Sequence, residues 1–273
     1  MLYKSTFSGI GFALSFEVIT SEGEWSQRKL NIDVEGTKNM KNQIHRNWLW
    51  QGLMAIALFV TIGLNTAHAA SPFQAGDFVS VPELGGLEVQ KNEITYAQYS
   101  ALNAQLPVAN QTPWEAQHCS VKGFGPNYAA ACISFNDTEA YIRVLNAQDP
   151  NYSYRLPTDD ESKTLVDMTL GALRFNESIS GEQFSRYAWY YSISDNHTHE
   201  VCTREPVFGL CDILGNVWEW TSTQVDSARI VRGGSWGNDA QSLRSANTNS
   251  ISFWPNYSDR VVGFRLVRTA KAK

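Results

Sequence analysis

Two carboxylates, Asp212 and Glu219, lie within eight residues of one another in the stretch CDILGNVWEW. Carboxylates this close in a turn-rich segment suit a hard cation, which takes oxygen from side chains and backbone carbonyls together. The plain alternative has Asp212 capping a turn and Glu219 pairing with an arginine such as Arg232 or Arg265. A second cluster, DNHTHE at 195–200, offers His197, His199 and flanking carboxylates, the donor types of two-histidine-one-carboxylate iron sites. Histidines two apart in such a stretch are more often solvated loop residues. His118 is the other histidine beyond the N-terminal third, and no spacing suggests a serine–histidine–aspartate arrangement. The four cysteines, Cys119, Cys132, Cys202 and Cys211, are even in number and none stands in a C-x-x-C pair. Zinc is therefore disfavoured and disulfides are favoured. Proximity along the chain favours Cys119–Cys132 and Cys202–Cys211 among the three pairings.

The elements that would position these groups are legible from residue 70 onward. GDFVSVPEL and LEVQKNEIT predict two short strands around Gly85-Gly86. A helix capped by Thr95 is predicted over Thr95 to Gln105. A second, capped by Asn136 or Asp137, turns Ala140, Tyr141, Val144 and Leu145 inward. A third starts at Thr158, with Glu161 three residues on as a capping box. Trp218 and Trp220 alternate with Glu219, which puts both rings on one side of a strand and the carboxylate on the other. After Trp189 the chain is rich in Trp, Gly and turn residues. Helices followed by an irregular, aromatic-rich half predict an α+β domain of long structured loops.

The first third carries targeting information. From Met40, a basic start (Lys41, Arg46), an apolar run from Leu53 to Leu64 and Ala67-His68-Ala69 have the layout of a secretory signal peptide cleaved after Ala69. The apolar run is too short for a membrane anchor, so no membrane span is expected after cleavage. Residues 1–39 would then be an upstream extension outside the native chain, residues 40–69 the signal peptide, and residues 70–273 a single domain. Export places the protein in the periplasm, at the cell surface or outside the cell. A formal net charge of -5, without a Lys/Arg cluster in the C-terminal two thirds, argues against a nucleic-acid partner.

In order along the chain stand NEITYAQYSAL, CISFNDTEAYIRVL, YRLPTDDESKTL, GLCDILGNVWEWTS, VRGGSW, LRSAN and VVGFRLV. This succession resembles the formylglycine-generating-enzyme family, also called the sulfatase-modifying-factor domain, across nearly all of residues 75–268. The resemblance implies a C-type-lectin-like fold: a small twisted sheet, a few helices and much rigid irregular chain. It also implies a structural calcium held by the side chains of Asp212 and Glu219 and the carbonyls of Gly215 and Val217. The family's other calcium site is not carried over, because its loop is shortened between Ser194 and Val207. Enzymes of the family oxidise a substrate cysteine with two cysteines in the GGSW loop and a copper held as thiolate. Here Gly237, Asn238 and Asp239 follow Trp236, and no cysteine occurs after Cys211. Neither copper nor formylglycine-generating activity is expected, since asparagine and glycine cannot replace a thiolate.

The segment from 237 to 259 has the composition of a binding surface: short hydrogen-bonding side chains with aromatic anchors. Its candidate ligand-binding residues are Asn238, Asp239, Gln241, Asn247, Asn249, Ser250, Ser252, Trp254, Asn256, Tyr257 and Asp259. The resemblance extends to the variable proteins of diversity-generating retroelements, whose C-terminal segment, ending near GFR, is diversified at adenines. Asn codons are adenine-rich, and Ser, Asp and Tyr are reachable from them. Leu243, Arg244, Ala246, Gly263 and Phe264 would be scaffold. The sequence thus predicts an exported protein that binds a protein or glycan ligand on a cell or envelope surface. The rival readings are a periplasmic maturation or tailoring enzyme working without the cysteine pair, and a structural accessory of the envelope.

Overall fold

The computed structural model describes residues 13–19, 25–31, 71–115, 119, 122–173, 181–244 and 250–272. The chain divides into two compact units, Met1–Ala67 and His68–Lys273. The first contains an antiparallel hairpin, β1 (Ala13–Ile19) and β2 (Trp25–Asn31), registered from Ala13 opposite Asn31 to Ile19 opposite Trp25. These residues carry no predicted element, although Leu14, Phe16 and Val18 alternate with the period of a strand. The proposed signal peptide at 40–69 lies outside the described residues.

The second unit is built on two four-stranded sheets. One joins β3 (Phe78–Val81), β4 (Leu87–Gln90), β10 (Val267–Ala270) and β5 (Tyr152–Arg155), all antiparallel, in that spatial order. The strands predicted around Gly85-Gly86 are therefore present, and the C-terminal strand β10 sits between β4 and β5. The other sheet joins β8 (Ser250–Phe253), β7 (Ala228–Arg232), β6 (Trp218–Val225) and β9 (Val262–Gly263), with β6 and β9 parallel.

Reciprocal caps start three helices. Thr95 caps α1 (Tyr96–Ser100) with Gln98 returning the bond, and Thr158 caps α3 (Asp159–Ala172) with Glu161 returning it. α1 ends earlier than the sequence predicts: it stops at Ser100, and a separate 3-10 turn covers Asn103–Gln105. For α2 (Phe135–Gln148) the cap is Ser134, and Asp137 is the returning partner, not the cap. The reason is geometric. Asp137 lies inside the first turn, where its carboxylate reaches back to the Ser134 backbone N–H at 2.9 Å. Two short helices, α4 (Gly181–Phe184) and α5 (Ala240–Leu243), complete the set.

The core is aromatic. Tyr99 stacks on Tyr141 at 5.1 Å and both meet the edge or face of Phe264, at 6.4 and 5.6 Å. Ala140, Tyr141 and Leu145 of the α2 stripe are buried, and Val144 packs against the same cluster half-buried. Trp220 is fully buried and its indole N–H donates to the carbonyl of Ile133 at 2.7 Å. Buried apolar area of this kind is the main stabilising contribution of such a domain. Among the described residues no helix is long and apolar enough to cross a membrane.

Candidate functional site

β6 and β9 run side by side, and β9 is followed directly by Phe264 and Arg265. This delivers a guanidinium to the middle of the domain. Arg265 is fully buried; its Nε and Nη2 donate to the two oxygens of Glu219, at 3.0 and 2.7 Å. Its Nη1 donates to the carbonyls of Gln90 and Lys91, and its Nη2 also to that of Cys211. Of the two arginines considered for Glu219, Arg265 is the partner; Arg232 pairs with Asp159 of α3 instead.

Two further carboxylates border this pair. Asp212, at φ +54°, accepts the Cys202 backbone N–H on Oδ2 at 2.7 Å. Glu93 accepts from the Asn216 side-chain amide on Oε2 at 3.3 Å. Asp212 Oδ1 and Glu93 Oε1 are buried without a hydrogen-bond partner. Burial pushes the Asp212 carboxyl up to about 6, against the backbone bond from Cys202 and the Arg265 charge, which pull it down. Burial first, and the neighbouring Asp212 and Glu219 after it, raises Glu93 well above the usual carboxylate range. Orphaned buried carboxylate oxygens facing a surplus of negative charge fit a hard cation. Among the described residues no three carboxylate, imidazole or thiolate side chains converge on one point, so carbonyls would have to complete the ligand set. Sequence reading located Asp212 and Glu219 but missed Glu93 and Asn216; the only signal was an acidic residue placed between a strand and an apolar Ile94.

The histidines do not make an iron site. His199 lies flat on Trp189, with ring centroids 3.5 Å apart at 6°, and His197 leans on His199 at 4.4 Å. The Arg204 guanidinium lies over the Trp189 ring, 3.5 Å from its centroid. Stacked rings present faces to one another, so their nitrogens do not converge on a metal. His197 Nδ1 meets the Thr198 carbonyl, and His199 Nε2 that of Ser194 at 2.9 Å. His118 lies outside the described residues.

All four cysteines are disulfide-bonded, Cys119 to Cys132 and Cys202 to Cys211, the pairings favoured by proximity. No thiol remains to hold copper or to react. The turn that carries the family's cysteines begins at Gly233 and Gly234, both with positive φ (95° and 74°), a conformation that glycine adopts without strain.

Beyond that turn the candidate binding residues separate into two groups. Asn238 and Asp239 belong to the frame: Asn238 Oδ1 accepts from Ser235 N and Oγ at 2.9 and 3.0 Å, and Asp239 caps α5 through the Ser242 N–H. Tyr257 is half-buried, stacked on Phe253 at 4.2 Å, and Asp259 bonds the following turn at Val261 N. Gln241, Ser252, Trp254 and Asn256 are exposed, Trp254 to 62%; Ser250 is half-buried in β8. Asn247 and Asn249, with Ala246, lie outside the described residues.

Residues 77–270 match the family described as the Sulfatase-modifying factor enzyme 1-like domain. The chain belongs to this family. Curated relatives of the domain include the protein described as inactive C-alpha-formylglycine-generating enzyme 2, 37% identical over 65 residues in Bos taurus and 34% over 70 in Mus musculus. These matches cover 21% and 23% of this chain, and span only 22% and 23% of the relatives' length. Among solved structures, Treponema denticola variable protein 1 superposes with a TM-score of 0.51 at 19% identity, over 66% of this chain and 84% of that one. CarF superposes with a TM-score of 0.50 at 22% identity, over 67% and 85%. The fold is thus the α+β, C-type-lectin-like fold that the sequence predicts, and the domain's curated relatives are described as inactive.

Proposed function

We propose that this chain is an exported, non-catalytic ligand-binding protein whose recognition surface lies in the segment after the glycine turn. The observation that carries this reading is the division of that segment. The backbone carbonyls of Asn238 and Asp259 tie it to the scaffold through the Tyr191 and Cys132 N–H groups, and Tyr257 packs with Phe253 against the core, while Gln241, Ser252, Trp254 and Asn256 stand exposed. An exposed tryptophan among short polar side chains on a rigid support is the make-up of a recognition face. The likeness to a variable protein of Treponema denticola adds weight to a diversified segment. The two disulfides accord with an oxidising compartment outside the cytoplasm.

A structural calcium is part of the proposal. Asp212 and Glu219, with the carbonyls of Gly215 and Val217, would hold it at the buried acidic centre. Once bound, it would neutralise carboxylates and stiffen the segment that leads into β6.

The ligand face is tested by binding to arrayed glycans and to intact bacterial cells, comparing the protein with Trp254→Ala and Asn256→Ala. Loss of binding in both variants, with unchanged melting temperature, is expected. The diversification reading is tested in the DNA: a near-copy of the codons for residues 230–268, differing at adenines and beside a reverse-transcriptase gene, is expected. Its absence removes the retroelement reading and leaves the binding reading to the arrays.

A further inference from the structure

We propose that the carboxylate pair that binds the cation in this chain is Asp212 with Glu93, and that Glu219 serves to hold Arg265. The proposal rests on the calcium reading above and changes its ligand set.

Glu219 is already occupied. Both of its oxygens accept from the fully buried Arg265. The oxygens left over are Asp212 Oδ1 and Glu93 Oε1, both buried and both without a partner. Leaving a buried acceptor unsatisfied is costly, so such oxygens ordinarily have a partner.

The two groups are brought together by backbone. The Cys211 N–H donates to the Lys91 carbonyl at 2.8 Å, beside Asp212 on one strand of chain and two residues before Glu93 on the other. Arg265 clamps the same two segments, donating to the carbonyls of Lys91 and Cys211. Asn216, between Gly215 and Val217, holds Glu93 through its amide. Two carboxylates balance a divalent cation, and an irregular set of carboxylates and carbonyls suits calcium better than the octahedral demands of magnesium.

The test is titration calorimetry with calcium chloride near neutral pH, on the full chain and on Glu93→Gln and Glu219→Gln, with melting curves in chelator and in millimolar calcium. The wild type is expected to bind a single calcium. Glu93→Gln should weaken binding by about tenfold or more and lose the calcium-dependent rise in melting temperature. Glu219→Gln should lower the melting temperature equally with and without calcium, because it loosens Arg265. If Glu93→Gln binds as tightly as wild type, Glu93 is no ligand and this proposal falls while the calcium reading stands. If Glu219→Gln remains folded and cannot bind calcium, the ligand set of the resemblance is right and this one is wrong. If the wild type binds no calcium, both readings fall. Should Glu93→Gln fail to fold, Glu93→Asp, which keeps the charge but withdraws the oxygens, decides by the same loss of affinity.

Discussion

Two tryptophans of this domain meet opposite surroundings, and substitution should separate them. Trp220 is fully buried, edge-on to Phe135 at 5.9 Å, with its N–H bonded to Ile133. Trp220→Ala should cost about 3–5 kcal/mol, read from denaturant melts. Trp254 is 62% exposed, so Trp254→Ala should stay within about 0.5 kcal/mol of wild type while abolishing ligand binding. Asn238 is the position at which the structure changes the expectation. Composition alone made it a tolerant surface residue, but its carboxamide oxygen closes the Ser235 turn with two hydrogen bonds. Asn238→Ala should therefore cost about 1 kcal/mol, whereas the exposed Asn256→Ala should shift the midpoint hardly at all. Equal effects at the two positions would remove the distinction between frame and face.

At the scale of elements, the start of α3 shows how a cap becomes sensitive to acid. Glu161 accepts from the Thr158 N–H at 2.8 Å and from both terminal nitrogens of Arg155, at 2.7 and 2.8 Å. The hydrogen bonds from Arg155, more than any other influence, hold its carboxyl below the ordinary range. A folded-state pKa below the unfolded one means that the stabilisation is present above the unfolded value, about 4.3. It is lost as the pH falls through the folded value. Arg155 and Glu161 keep 44% and 20% of their side-chain surface in water, so the contribution is that of a screened pair, at most about 1 kcal/mol. Urea melts of wild type and Glu161→Gln should differ at neutral pH and converge in acid. Parallel curves would mean that the ion pair contributes nothing. Thr158→Ala removes the other half of the box and should cost about 1 kcal/mol at every pH. The approach to β6 is less forgiving. Gly215 has φ +86°, and a Cβ there would run into the carbonyl of Trp189. Gly215→Ala should fail to accumulate as folded protein or melt far below wild type.

For the whole molecule, the disulfides and the acidic centre act together. Cys202 donates its N–H to Asp212 and Cys211 offers its carbonyl to Arg265, so the second disulfide closes the loop whose ends border the centre. Replacing Cys202 and Cys211 together by alanine should cost about 2–4 kcal/mol. It should also weaken calcium binding in the same calorimetric titration. Calcium that binds the folded chain alone should raise the melting temperature in proportion to RT ln(1 + [L]/Kd). If the double replacement leaves calcium affinity intact, the loop does not shape the site. Export is tested separately: the N-terminal sequence of the secreted protein should begin at Ala70.

What the sequence determined by itself is what short-range physics controls. Helix starts at Thr95 and Thr158, the hairpin around Gly85-Gly86, the inward stripe of α2 and the disulfide between neighbours Cys202 and Cys211 all depend on residues a few positions apart. The absence of a catalytic cysteine pair was equally legible, because a missing residue type needs no fold to reveal it. Even locally the reading erred where two neighbours competed for one role, as Ser134 and Asp137 did for the cap of α2. The acidic centre was only half legible. Asp212 and Glu219 are close in sequence, but Arg265 reaches Glu219 across 46 residues and the carbonyls of Gln90 and Lys91 across 175 and 174. Arg232 and Arg265 were equivalent partners on paper, and the fold separated them by turning Arg232 toward Asp159. Glu93 stands at the acidic centre because the Lys91–Cys211 hydrogen bond joins two segments far apart in sequence. A buried charge is assigned its partner by whichever groups the whole chain brings into the same dry space, and that information is not local.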